Sequence, residues 1–410
     1  MAKKAGTASA SSGKGKSVFD IVKSFDKSAE VLGESKSAVI SDYIDTGSYI
    51  VNAAITGSLF KGVPAGRCTV LAGDPGTGKT YLALSVCRNA QKKGYTPIYM
   101  DSEAAIDLEF VKRLGCDPDN FVIKQVTTVS EVSTFVARTC QSILEMPEGE
   151  RPKVIFVLDS LGNLTSDKEL NDTIEGNDKR DMTRAQSIKA LFRTNATALG
   201  KIQAPFIVNA HIYRTQDLFA KTIVSGGSGI NFNASVTLML STAKLDDKES
   251  DKIAEKKTGD YVKTGVIVTA KPEKSRFTIP QKVKFQIPFF KAPNPYVGLE
   301  AYITWENSGI MRGKLLTEKE YQKLSDLEKN VCEEFVDKDG TKFYALPNDK
   351  SKNIIVKHLA QELPAVEMFT PKVLTEDVLR NLDEKIIRPN FELPSSDRND
   401  DIEELLEDIE

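Results

Sequence analysis

The chain has 410 residues, enough for one large domain with additions or for two to three domains. Its 55 Lys and Arg against 58 Asp and Glu leave a net charge of −3, which speaks against a nucleic-acid binder only if charge is evenly spread. It is not: residues 397–410 hold eight acids and one base, and the other 396 residues hold 54 bases and 50 acids, for +4. The first sixteen residues carry four lysines and no acid. A hydrophobic fraction of 40% supports a sizeable core. No stretch approaches the ~18 consecutive apolar residues of a membrane span, and residues 1–16 lack the apolar centre of a signal peptide. The five cysteines (Cys68, Cys87, Cys116, Cys140, Cys332) are scattered, with no CxxC pair, and there are two histidines. That argues against disulfide scaffolds and zinc sites, and for buried thiols in a reducing, cytoplasmic compartment.

Residues 1–16 read as a disordered basic arm. Val18, Ile21, Val22 and Phe25 give 17–33 a helical spacing, and its apolar stripe suits either its own domain or a neighbouring subunit. From Tyr43 short β-branched runs recur at 68–72, 97–100, 154–158, 206–208, 236–239 and 265–268. They are almost continuously apolar, as strands covered on both faces are. Helical windows lie between the early ones, at 80–93, 108–114, 130–146 and 182–199. Two polar stretches, 166–181 and 213–233, follow apolar strands and so fall at the carboxyl edge of the sheet, where ligands bind in such folds. Past Pro293 the pattern becomes mixed and charged, with a turn at Asp337-Lys338-Asp339-Gly340. The expected class is α/β, a mostly parallel twisted sheet with helices on both faces. The expected division is a basic arm at 1–16, an oligomerisation helix at 17–40, the core at 41–297, a small C-terminal α+β domain at 298–392 and an acidic tail at 393–410.

Gly73-Asp74-Pro75-Gly76-Thr77-Gly78-Lys79-Thr80 fits GxxxxGK[ST] in full, after a predicted strand and at the start of a predicted helix. The glycines let backbone N–H groups converge on phosphate oxygens, and the helix N-terminus adds partial positive charge. Lys79 is expected to reach the β and γ phosphates of ATP, and the Thr80 hydroxyl to coordinate Mg²⁺. Asp159 ends the strand 154–158; beside such a cradle it reads as the carboxylate that holds Mg²⁺ through water. Glu103 follows the strand 97–100 and is either a solvated acid or the group that orients and deprotonates the attacking water.

In this order the residues resemble a RecA-type recombinase, and within that family the UvsX-type recombinases of phages. The likeness is carried by Asp101-Ser102-Glu103-Ala104-Ala105-Ile106-Asp107, by Asp159-Ser160-Leu161-Gly162-Asn163-Leu164, by Gly226-Gly227-Ser228-Gly229-Ile230-Asn231, and by Asp181-Met182-Thr183-Arg184-Ala185 and Glu273-Lys274-Ser275-Arg276. It covers roughly residues 40 to 300, a RecA-like P-loop ATPase core. The resemblance implies that Glu103 activates water, that Phe110 stacks on adenine, and that His211 senses the γ-phosphate where the bacterial proteins have Gln. It implies that Lys274 and Arg276 reach across a subunit interface to the neighbour's ATP. Stretches 166–181 and 213–232 then match two DNA loops. Lys179 and Arg180 on the first, and Arg214 and Lys221 on the second, would pair with phosphates, as would the backbone of Gly226 and Gly227. Phe219 would stack between bases, and Arg184, Lys189 and Arg193 would follow on the next helix. Read alone, each cation is also an ordinary solvated side chain. The first loop is acidic for its task, with Asp167, Glu169, Asp172, Glu175, Asp178 and Asp181.

The implied function is an ATP-dependent DNA recombinase that forms helical filaments on single-stranded DNA and pairs it with homologous duplex, in recombination, repair and recombination-dependent replication. ATP and Mg²⁺ would sit between subunits, with a mediator and a single-strand-binding protein as further partners and no membrane. Two other readings share the motifs: a ring-forming helicase, and an ATP-regulated DNA-binding mediator that does not hydrolyse. The acidic tail is either a solubilising end or a DNA mimic.

Overall fold

Nearly continuous apolar runs place five parallel strands at the centre of the molecule, and a sixth, short and largely exposed, pairs with them at one edge. The computed structural model describes residues 17–26, 29–32, 35, 38–104, 106–176, 183–214, 222–226, 228–242, 254–257, 260–263, 265–289 and 293–393. Lys179, Arg180, Phe219, Lys221 and Gly227 lie outside the described residues, as do the basic arm and residues 397–410; of Arg214 only the backbone is described.

In chain order the first part comprises α1 (Val18–Phe25), β1 (Tyr43–Ile44), α2 (Tyr49–Thr56), β2 (Val63–Pro64), β3 (Cys68–Gly73), α3 (Lys79–Lys92), β4 (Tyr95–Asp101) and α4 (Leu108–Arg113). There follow β5 (Val122–Gln125), α5 (Val129–Glu145), β6 (Lys153–Asp159), α6 (Asp167–Ile174), α7 (Arg184–Lys201) and β7 (Phe206–Ala210). The hairpin β8 (Ile212–Arg214) and β9 (Thr222–Val224) leads to α8 (Ser228–Asn233) and β10 (Val236–Thr242). A second hairpin, β11 (Ala254–Lys257) and β12 (Asp260–Lys263), precedes β13 (Gly265–Ser275) and β14 (Val283–Pro288). The eight-stranded sheet has the order β14-β13-β10-β3-β7-β6-β4-β5, with β13 and β14 antiparallel at one edge.

Alternate side chains of each central strand go to opposite faces. Leu71, Ile155, Val157 and Ile207 pack with α2 and α3, while Val70, Phe156, Leu158 and Val208 pack with α5 and α7. The small C-terminal domain is a five-stranded antiparallel sheet, β15 (Ile310–Thr317), β16 (Glu333–Val336), β17 (Lys342–Pro347), β18 (Asn353–Val356) and β19 (Gln361–Pro364), in the order β16-β17-β15-β18-β19. The anticipated Asp337–Gly340 turn joins β16 to β17, closed by Gly340 N–H donating to the Asp337 carbonyl at 3.2 Å. Ile310, Ile354 and Val356 share a cluster with Ile50 and Leu82, so the core continues into the small domain.

Three sequence expectations change. The N-terminal helix is shorter than 17–33: a Ser17–Asp20 capping box starts it and Asp26 ends it, with Val18 and Phe25 exposed at 77% and 75%. The stretch 166–181 holds a helix, because Ser166 caps α6 by accepting from Glu169 N–H at 3.0 Å, and Asp167 and Glu169 suit the positive end of the helix dipole. Four cysteines are buried, and burial pushes Cys68 up to about 12 and Cys116 and Cys140 up to about 11; Cys332 is only half-buried. No described helix is long and apolar enough to cross a membrane.

Asp383 fastens the two domains. Its buried carboxylate accepts from Ser58 Oγ at 2.9 Å, from Leu59 N–H at 2.6 Å and from Arg388 Nε at 3.0 Å. Asp383→Ala strands these donors, and an expected loss of about 3 kcal/mol follows from unpairing buried polar groups. Chemical denaturation checks it; a loss below about 1 kcal/mol would mean that the junction is held by apolar packing alone.

Candidate nucleotide site

Between the end of β3 at Gly73 and the start of α3 at Lys79 the chain turns over the carboxyl end of its strand. Gly78 caps α3 with φ +85, and a Cβ there would stand 2.1 Å from Ile287 Cδ1, so the turn requires glycine. Gly76, at φ +76, has no atom within 4 Å of where its Cβ would be. The result is a hollow at the N-terminus of a helix, a place for anions. Lys79 is buried inside it, and its Nζ donates to the carbonyls of Gly73 and Asp74, each at 2.9 Å. Burial lowers the Lys79 pKa against the opposing pull of Asp159, Glu103 and Asp74.

Thr80 Oγ1 donates to Asp159 Oδ2 at 2.7 Å, and the Tyr99 hydroxyl donates to the same oxygen at 2.6 Å. Asp159 closes β6, is 2% exposed, and its carbonyl accepts from Ser102 N–H at 2.8 Å. Ser102 Oγ donates to the Ser160 carbonyl at 2.7 Å and accepts from Ser160 N–H at 2.8 Å, a reciprocal clamp between the ends of β4 and β6. Fully buried Asp101 accepts from Glu103 N–H at 2.9 Å. The Ser160 hydroxyl donates to Glu103 Oε1 in a short bond, and His211 Nε2 lies 2.9 Å from that oxygen. Burial pulls the Glu103 pKa up; the bonds from Ser160 and His211, with the charges of His211 and Lys79, outweigh it and bring the carboxyl below its ordinary value.

Of these groups Lys79, Thr80, Glu103, Asp159 and His211, brought together from the ends of β3, β4, β6 and β7, line one cavity of about 740 Å³. Apolar side chains line it as well, among them Phe110, Leu114, Phe289 and, against Gly78, Ile287, and the Arg113 guanidinium stands over the Phe110 ring at 5.3 Å. Asp101 and Ser160 stand in the segments that carry the family likeness, yet neither they nor Tyr99 had an anticipated role. Tyr99 and Asp101 stand two positions apart in β4 and so share one side of it, and Glu103 follows in the bend just past its end.

Residues 15–279 match the RecA N-terminal domain family. The chain belongs to that family. It is similar to the recombination and repair protein of Enterobacteria phage T4, 28% identical over 272 residues, which are 65% of either chain. It is also similar to the RecA proteins of Nautilia profundicola, 29% identical over 237 residues (56% of this chain, 63% of that one), and of Wolbachia sp. subsp. Brugia malayi, 29% identical over 241 residues (57% and 63%). The chain thus spans less than two thirds of the length of each.

A magnesium–nucleotide complex fits the groups in this RecA-family site. Magnesium takes one or two protein oxygens and completes its shell with water and substrate phosphates, and Thr80 with Asp159 offers that set. Asn209, fully buried one step past the Leu158–Val208 pair and so level with Asp159, has neither amide atom paired. Such a group calls for a partner, a role that water around a bound cation would fill.

The other anticipated residues fall at two places. His211 joins the cradle to the hairpin: its N–H donates to Ser225 Oγ at 3.1 Å and its carbonyl accepts from Ser225 N–H at 2.7 Å. Gly226, with φ +102, lies against Leu161, while Lys189 and Arg193 project from α7 into solvent. Arg184 is committed elsewhere: its guanidinium donates to the carbonyls of Leu161, Gly162 and Leu164 at 3.2, 2.6 and 2.6 Å. Lys274 and Arg276 are not brought to this site. Lys274 pairs with Thr237, and Arg276 N–H donates to the Ser235 carbonyl at 3.1 Å, at the opposite edge of the sheet where β3 begins.

Ser160→Ala removes a bond that favours ionised Glu103, so the Glu103 pKa is expected to rise. NMR titration of the glutamate carboxyl carbons measures it. An unmoved Glu103 would show that Ser160 does not tune it.

Proposed function

We propose that this chain is an ATP-dependent DNA recombinase that assembles on single-stranded DNA and exchanges strands with homologous duplex. The observation that carries the reading is the joining of Glu103 to the cradle on one side and, through His211, to the β8–β9 hairpin on the other. Family membership and the likeness to the phage T4 recombination and repair protein support it.

In this reading the nucleotide phosphates lie against the loop 73–80 with Lys79 beside the terminal groups, and the base lies near Phe110. Bound magnesium would supply charge neutralisation at the phosphates, held by Thr80 and by Asp159 through water. Glu103, its carboxyl kept ionised by Ser160 and His211, takes the proton of the attacking water. His211 exchanges its contact with Glu103 for one with the terminal phosphate and shifts the hairpin to which Ser225 ties it. Lys189 and Arg193, with the cations of the two loops, hold the DNA backbone without regard to sequence. Lys274 and Arg276, remote from their own chain's cradle, reach the nucleotide of a neighbouring subunit, so hydrolysis depends on assembly.

Lys79→Ala is expected to lower ATP turnover by at least about a hundredfold, the scale of losing a phosphate-stabilising cation. Wild-type turnover is expected to rise with single-stranded DNA, and electron microscopy with ATP and that DNA to show helical filaments. Closed rings, or turnover indifferent to DNA, would overturn the reading.

A further inference from the structure

A carboxylate that serves a cation does so with the oxygen left over from its other bonds, and the groups that bond it set its orientation. Asp159 has two such groups on one oxygen: Thr80 Oγ1 and the Tyr99 hydroxyl both donate to Oδ2, at 2.7 and 2.6 Å. Asp159 lines the nucleotide cavity, so Oδ1 is the oxygen it offers there. The two donors differ. Thr80 sits in the first turn of α3, and its own hydroxyl oxygen is the expected cation ligand. Tyr99 is fully buried, at 0% exposure. Its ring packs against Phe121 at 5.9 Å and within the cluster of Ile155 and Val157. The hydroxyl therefore has a fixed place, and Asp159 is the group it serves. β4 pairs with β6 from Tyr95–Lys153 through to Asp101–Asp159, which fixes the tyrosine and the carboxylate relative to each other along seven residues of ladder.

We propose that Tyr99 is a positioning residue of the magnesium site: its hydroxyl holds Asp159 in the orientation that turns Oδ1 toward the cation's water while Thr80 coordinates the cation. The proposal rests on the magnesium–nucleotide reading of this site. Two residues further on, Asp101 holds the Glu103 N–H. One strand therefore sets both the carboxylate that serves the cation and the carboxylate that serves the water, and a shift of β4 would move them together.

Binding of a fluorescent ATP analogue, titrated with Mg²⁺, tests the assignment on the full chain as wild type, Tyr99→Phe, Asp159→Asn and the double variant. The wild type is expected to bind more tightly as Mg²⁺ is added. Tyr99→Phe keeps the buried ring and is expected to raise the Mg²⁺ concentration at half-effect about tenfold, the scale of losing an outer partner of a metal ligand. Its nucleotide affinity without Mg²⁺ is expected to stay at the wild-type value, which general damage to the fold would not allow. The double variant is expected to respond as Asp159→Asn does, because the hydroxyl acts through that carboxylate. A Tyr99→Phe response equal to wild type, or a further tenfold loss in the double variant, overturns the role of Tyr99 and leaves the nucleotide site standing. Wild-type binding indifferent to Mg²⁺ removes the site reading itself, and Tyr99's role with it.

Discussion

Asp159 takes hydrogen bonds from Thr80 and Tyr99 on one oxygen, and its carbonyl takes the N–H of Ser102. Those three bonds tie the start of α3, the middle of β4 and the turn after β4 to the end of β6. A carboxylate at 2% exposure is costly to bury unless its lone pairs are filled, and two hydroxyl donors fill those of Oδ2. The next residue, Ser160, returns a pair of bonds to Ser102 and reaches Glu103. The loop 73–80 and Glu103 are thus joined in one network, and a displacement of any strand end is felt by the others.

The network continues to the hairpin through His211, and the packing around His211 explains the unexpected use of Arg184. A Cβ at Gly162 would stand 2.8 Å from His211 Cδ2, so the turn 161–163 buttresses the ring. Arg184 pins that turn by three carbonyl bonds from the first residue of α7. An arginine that the family resemblance offers to DNA phosphate is here a strut that fixes where His211 stands. Lys189 and Arg193, about one and a half and two and a half turns further along α7, remain solvent-facing. The path from Glu103 through His211 to Ser225 is a chain of direct contacts, which is the physical requirement for the two ends to bias one another.

Much of this was legible in the chain. The GxxxxGK[ST] run carries its own geometry, because the positive φ of Gly76 and Gly78 is a property that few other residues tolerate. The apolar runs gave the central strands to within a few residues, since strands covered on both faces have no polar period to confuse. The acids of 166–181 misled for a local reason: Ser166, Asp167 and Glu169 describe a helix start, and a net count of charge hides a cap. Tyr99 and Asp101 were hidden because a tyrosine and an acid in an apolar strand look alike whether they serve the core or a site. Cys332 departed from the buried thiols because it lies in the connection just before β16, the edge strand of the small sheet.

The placement of Lys274 and Arg276 was the least legible feature, and it has the largest consequence. Their sequence position, just past a strand, is compatible with either edge of the sheet. The edge is decided by β13 running antiparallel to β10, which carries Ser275 to the Val236 end and not to the Leu240 end beside Gly73. A cation at that edge stands the length of β3 away from its own chain's loop 73–80, so it cannot meet a phosphate bound there. In the proposed function the site is therefore completed only when the β3-start edge of one subunit meets the cradle edge of the next. That contact is heterologous, so it propagates where a two-fold contact would close. The dependence of hydrolysis on assembly then follows from strand direction alone, with no separate regulatory element.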